Sequence, residues 1–135
     1  MRTNAMGYRV YSNQNASDVT LVTTTETIIA TVSGVSTYKP GEKLLIAASA
    51  TITNGTNTTA LTFRVRRDSI TGTVVNNADP VQIETAAGST EDHELVCEDN
   101  LSGEIANATY VLTVQQTGAS ANGTSLNADM SIQGS

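Results

Sequence analysis

The chain has 135 residues and a mass of 14.1 kDa, enough for one domain around one core and little more. Its formal net charge of -6 is a poor profile for nucleic-acid binding, which usually needs a basic face. No apolar run approaches the length of a membrane span, and residues 1–15 hold no apolar core for an export signal, so synthesis in a cytoplasm is expected.

Residues are 39% hydrophobic but only 4% aromatic, with no Trp and one Phe, so the core must be built from Val, Ile, Leu and Ala. Thr is abundant, and its branched Cβ suits a pleated surface; Asn and Gly supply tight turns. An all-β domain with short connections is the expectation.

Residues 1–17 are polar and read as a flexible N-terminal arm ahead of a sandwich domain over 18–135. Tyr8, Val10 and Tyr11 are the side chains that would pin it to another surface; a short edge strand is the alternative. Val19, Leu21 and Thr23 alternate, then Ile28, Ala30 and Val32 share one face while Ile29 and Thr31 share the other. This predicts two short strands, or one strand broken by a bulge. Ser33-Gly34 marks a turn, and Tyr38-Lys39-Pro40-Gly41 a second.

The clearest pattern lies in 43–66. Leu44, Ile46, Ala48, Ala50 and Ile52 recur at every second residue, Asn54-Gly55-Thr56-Asn57 interrupts, and Leu61, Phe63 and Val65 resume. Period two on both sides of a turn predicts two antiparallel strands, each with one buried face. The small side chains of 47–50 require either a close neighbouring layer or large side chains from a facing sheet. Leu45 breaks the polar face and is a candidate for packing outside the sandwich. Arg64, Arg66 and Arg67 form the basic cluster of the chain. They are read either as a charged strand end or as a docking contact to an acidic surface.

Short strands follow at 73–75, 81–85 and around His93, Leu95 and Cys97, with Glu94, Val96 and Glu98 on the opposite face. Residues 109–117 carry apolar side chains on both faces. Such double burial makes Tyr110 and Leu112 candidates for contact with a partner subunit. Leu126, Ala128, Met130 and Ile132 close the chain with a strand expected to pair beside an early one. About eight strands and no amphipathic helix predict a two-sheet antiparallel β-sandwich. A jelly roll is the first choice and an immunoglobulin-like sandwich the alternative.

Catalytic and metal chemistry finds little footing. Cys97 is the only cysteine, so no intrachain disulfide forms, and it reads as a small buried hydrophobe. His93 is the only histidine, and no G-x-S-x-G is present to pair with it. Glu91, Asp92, Glu94, Glu98, Asp99 and Glu104 form an acidic run whose spacing matches no calcium loop. It is read as a solvated face, with a calcium site or a contact to Arg64, Arg66 or Arg67 of a neighbour as the alternatives. No cofactor, no metal and no enzymatic activity are expected.

The segments Thr27-Ile28-Ile29, Gly41-Glu42-Lys43-Leu44-Leu45-Ile46, Leu61-Thr62-Phe63-Arg64-Val65-Arg66-Arg67-Asp68 and Tyr110-Val111-Leu112-Thr113-Val114 carry a resemblance. Together their rhythm of strands and turns resembles small viral structural proteins with a tumour-necrosis-factor-like or C1q-like jelly roll. Such proteins serve as capsid decoration proteins and fibre heads of tailed phages and related viruses. The resemblance implies a virion protein, a homotrimer seated on the major capsid protein, binding neither nucleic acid nor membrane. A receptor-binding fibre or tail module is the alternative it implies.

Overall fold

Alternating apolar and polar residues become strands at nearly every place where the sequence carries them. The computed structural model describes residues 2–3, 9–13, 17–22, 24–37, 41–55, 59–75, 81–101, 103–117 and 123–134. Among these run β1 (Arg2–Thr3), β2 (Arg9–Ser12), β3 (Val19–Thr20), β4 (Thr27–Val35) and β5 (Lys43–Thr53). They are followed by β6 (Thr59–Arg67), β7 (Val81–Thr85), β8 (Thr90–Asn100), β9 (Ala108–Thr117) and β10 (Thr124–Gly134).

One sheet has the order β1-β2-β10-β5-β8, with β3 also paired to β10; the other has the order β4-β9-β6-β7. From β4 onward successive strands alternate between sheets, apart from the β6–β7 hairpin. That wrapping of seven strands, with β2 added beside β10, is a jelly roll. An immunoglobulin-like sandwich, with strands A, B, E and D in one sheet and C, F and G in the other, would instead join A to B, D to E and F to G within a sheet. The closing strand lies beside early ones, as expected: Ile132 pairs with Tyr11, and Ser125 with Val19.

The inward faces are those of the period-two pattern. Leu44, Ile46 and Ile52 of β5 are buried, as are Leu61, Phe63 and Val65 of β6, Leu112 and Val114 of β9, and Met130 and Ile132 of β10. Burying each such side chain is worth about 1.5–3 kcal/mol. Ala48 and Ala50 line one small crevice with Phe63 and Leu112, so large side chains of the facing sheet fill the space that the alanines leave.

Several local expectations are corrected. The two strands of 43–66 do not pair with each other; they lie in opposite sheets, and the chain crosses between layers after Asn54-Gly55. Gly34, at φ 77, sits inside β4 rather than in a turn, and the register of β4 on β9 shifts between Val32 and Val35. A second shift between Ile28 and Ala30 buries Ile29 and Ala30 together and turns Ile28 outward. The stretch 73–75 makes a single bridge, Arg66 to Val74, instead of a strand.

The described part of 1–17 is no separate arm. β2 is hydrogen-bonded along β10, and Arg9 and Tyr11 are buried. Alternation of Arg9 and Tyr11 inward with Val10 outward gives β2 the same two-faced character as the longer strands.

Candidate functional site

The two ends of the sandwich are closed by polar groups that bond chiefly to one another. At the end where β5 begins, the buried Arg9 guanidinium forms an ion pair with buried Glu42 and donates to the Ser36 carbonyl. Tyr11 Oη donates to the same carbonyl at 3.1 Å. Glu42 raises the pKa of Arg9 through their hydrogen bond, against the desolvation that opposes it. Beside them Asp99 reaches from β8 to the facing sheet. Tyr110 Oη donates to Asp99 Oδ2 at 2.6 Å, and Arg67 donates to both carboxylate oxygens at 3.1 and 3.0 Å. Burial and Asp99 push the Tyr110 phenol far above its ordinary range. Burial, with a smaller contribution from Asp99, pushes the Cys97 thiol up to about 11, so it stays protonated and unreactive at neutral pH.

At the other end, amides do the same work. Asn54 Nδ2 donates to the Ala86 carbonyl, Gln116 Nε2 donates to Asn54 Oδ1, and the Gly123 amide donates to Gln116 Oε1. The network joins the β5–β6 crossing, the β7–β8 loop and both flanks of the β9–β10 loop.

The outer face of the β4-β9-β6-β7 sheet carries a third cluster. Glu26, just before β4, lies under Arg66, whose Nε and Nη2 donate at 2.6 and 2.9 Å. Arg64 Nη1 and Thr113 Oγ1 also donate to Glu26, at 3.3 and 2.6 Å. Burial opposes the charge on Glu26, but Arg66, Thr113 and Arg64 outweigh it and hold the carboxyl below its ordinary value. Arg64 donates further to Gln115, and Arg66 to the Gly72 carbonyl.

These contacts settle where the sequence candidates lie. Arg64, Arg66 and Arg67 are engaged by Glu26 and Asp99 of the same chain. Double burial of β9 holds, yet both covers come from this chain. Tyr110 and Leu112 are 0% and 1% exposed in the core, while Thr113 and Val111 lie beneath the Arg64–Glu26–Arg66 layer, with Arg66 paired to Val111 in register. Tyr11 is in the core, and Tyr8 lies outside the described residues.

Leu45 does point outward, 45% exposed, and it has company. Val96 is 68% exposed and Val10 38%. Pairing sets them in rows across the outer face of the β2-β10-β5-β8 sheet. One row reads Val10, Gln133, Leu45, Glu98; the next reads Ser12, Ser131, Ala47, Val96. A third holds Asp129, Ser49 and Glu94. Small side chains floor a shallow groove of about 420 Å³ over Ser12, Ala47, Ser49 and Ser131, with Glu94, Val96 and Asp129 at its sides. Val96 was legible from its parity opposite Leu95 and Cys97; its place one row from Leu45 needed the register.

His93 faces inward, its ring centroid 5.4 Å from that of Phe63 and its Nε2 3.9 Å from Glu91 Oε2. Burial lowers its pKa, with Glu91 and Asp92 offsetting part of the shift. Among the described residues no three His, Cys, Asp or Glu side chains converge to hold a metal. No hydroxyl nucleophile is hydrogen-bonded to His93 in any described contact.

No protein-family model matches the sequence, and no curated protein matches it. Solved structures do match in fold. VP2 of infectious bursal disease virus, in its subviral particle, superposes with a TM-score of 0.59 at 10% identity over 93% of this chain. The T13 particle of the same virus superposes with a TM-score of 0.58 at 7% identity over 94% of this chain. The chain spans about a third of those proteins, 32% and 35% of their lengths. The tumour necrosis factor Eiger of S. frugiperda aligns over 93% of this chain with a TM-score of 0.39 and 10% identity. The fold is thus the jelly roll found in viral shell proteins.

Proposed function

We propose that this chain is a non-enzymatic virion protein that binds the outer surface of a capsid and cements its subunits together. The observation that carries this reading is the outer face of the β2-β10-β5-β8 sheet. There Leu45 and Val96 stand exposed on neighbouring rows in a chain that pairs Arg9, Arg64, Arg66 and Arg67 internally. An exposed apolar patch rimmed by polar residues is the usual mark of a protein-binding surface. The likeness to a viral shell protein supports a place on a virion, while identity of 10% speaks for fold and not for role.

In this reading the major capsid protein is the partner, and the chain acts as a homotrimer. Three linked copies hold a shell far more tightly than one patch does, because later contacts form at high effective concentration. Neither nucleic acid nor membrane enters the mechanism.

The test is co-sedimentation of the purified chain with assembled capsids, alongside light scattering of the free chain. Saturable binding to capsids and a mass three times 14.1 kDa are expected. Absence of capsid binding together with attachment to host cells would replace this reading with a receptor-binding fibre or tail module.

A further inference from the structure

We propose that the outer face of the β2-β10-β5-β8 sheet docks a different protein, through a patch of lysines or arginines surrounding an apolar side chain. This deepens the decoration reading and rests on it only for the partner being a capsid surface.

The argument is one of uneven neutralisation. Four arginines are committed within the chain: Arg9 to Glu42, Arg64 and Arg66 to Glu26, and Arg67 to Asp99. The outer-face carboxylates are not. Glu94, Glu98, Asp92 and Asp129 take part in no ion pair formed by the described residues; Lys43 shares their face, and Arg2 pairs with Val10 at the far end of the Leu45 row, so four carboxylates stand on a face with two cationic positions. Asp92 accepts from the Thr51 hydroxyl at 2.6 Å.

Geometry sets these charges around an apolar centre. Leu45 pairs with Glu98, Ala47 with Val96, and Ser49 with Glu94 on one side and Asp129 on the other. Adjacent strands are about 4.8 Å apart, so the four strands present a patch roughly 14 Å wide. Val96, at 68% exposure, stands at one edge of the small-residue groove, and Glu94 and Asp129 flank its floor. An apolar centre with a charged rim is the anatomy of a protein interface, and the rim sets partner choice and approach rate.

The sign of the rim chooses among occupants. A second copy meeting face to face would set Glu94, Glu98 and Asp129 against an equally acidic face, and like charges across an interface oppose association. A second copy meeting by its other sheet would offer Arg64 and Arg66, both already held by Glu26. A partner with several unpaired cations around an apolar side chain complements this face better than a second copy does.

The experiment uses full-length chain labelled with ¹⁵N. The probes are nine-residue peptides with a central leucine flanked by lysines, and matched peptides flanked by glutamates. Amide shifts confined to Leu45, Ala47, Ser49, Val96 and Ser131 are expected with the lysine peptides only. Val96→Glu and the pair Glu94→Lys/Asp129→Lys should each weaken both peptide and capsid binding by about tenfold or more. Thr31→Glu, exposed on the other sheet, serves as the control and should bind as the unaltered chain does. Shifts elsewhere, equal shifts with both peptides, or none would overturn the proposal. So would a Val96→Glu variant that changes the mass in solution, since the face would then join copies of this chain. Lysine-peptide shifts on this face without capsid binding would overturn the decoration reading alone.

Discussion

Arg9 and Glu42 carry opposite charges inside a small apolar core, and neither tolerates loss of the other. Breaking a buried pair by removing one partner strands a charge at a cost of about 3–5 kcal/mol, while replacing both with apolar side chains is often neutral. Glu42→Gln should therefore lower the urea midpoint steeply, and Arg9→Met/Glu42→Leu should recover most of the loss. Equal loss in the single and double variants would show that the pair itself is stabilising.

His93 adds a pH dependence at the same scale. Its folded pKa lies below the ordinary 6.5 because burial disfavours the imidazolium. As pH falls below the unfolded value, the unfolded chain takes up the proton first. Stability is thus full above about 6.5 and declines toward the lower, folded pKa. Glu26 acts in a lower window, because its depressed pKa gives stability above the ordinary carboxylate value that is lost as pH falls through the folded one. Urea melts of the unaltered chain should weaken from pH 7 to pH 5.5, and His93→Phe should remove that slope. An unchanged slope in the variant would assign it to other groups.

Among elements, β2 and the β9–β10 loop are the most exposed to change. β2 brings Arg9 and Tyr11 into the core, and both bond to Ser36. Deleting residues 1–12 leaves Glu42 buried without its cation and the Ile132 edge of β10 without a partner strand. The shortened chain should be largely unfolded by circular dichroism at 37 °C, where a dispensable arm would leave the spectrum intact. At Gly123 an added Cβ would lie 2.4 Å from the Thr53 carbonyl and 2.9 Å from Gln116 Nε2. Gly123→Ala must push apart the crossing strand or the amide network. A loss of about 1–3 kcal/mol is expected from thermal melts, as for other overpacked sites.

For the molecule as a whole, topology governs the rate of folding. β2 pairs with β10 from the opposite end of the chain, and β4 pairs with β9 across the intervening strands. Each such ladder requires a long loop to close before any contact rewards it. Refolding is expected on a scale of milliseconds to seconds, as for other all-β domains of high contact order. Single-exponential refolding in microseconds, seen by stopped-flow and temperature-jump fluorescence of the tyrosines, would contradict this.

The alternation of residues determined much of this protein by itself. Which side chains of 43–53 and 59–67 face inward, the absence of helix among the described elements, and the closing strand beside an early one were all readable. Period two has one physical meaning in a half-buried sheet. Alternation says nothing of which strand lies next to which, and there the tertiary structure decided. β5 and β6 are neighbours in sequence yet partners in opposite sheets. Arg64 and Arg66 look like a docking patch until Glu26, some forty residues earlier, is folded beneath them. Tyr110 looks like a subunit contact until Asp99 arrives from the facing sheet. The Leu45–Val96 face, too, exists only once β5 and β8 are in register. Parity is a local property of the chain, while pairing and charge neutralisation depend on residues brought together from far apart.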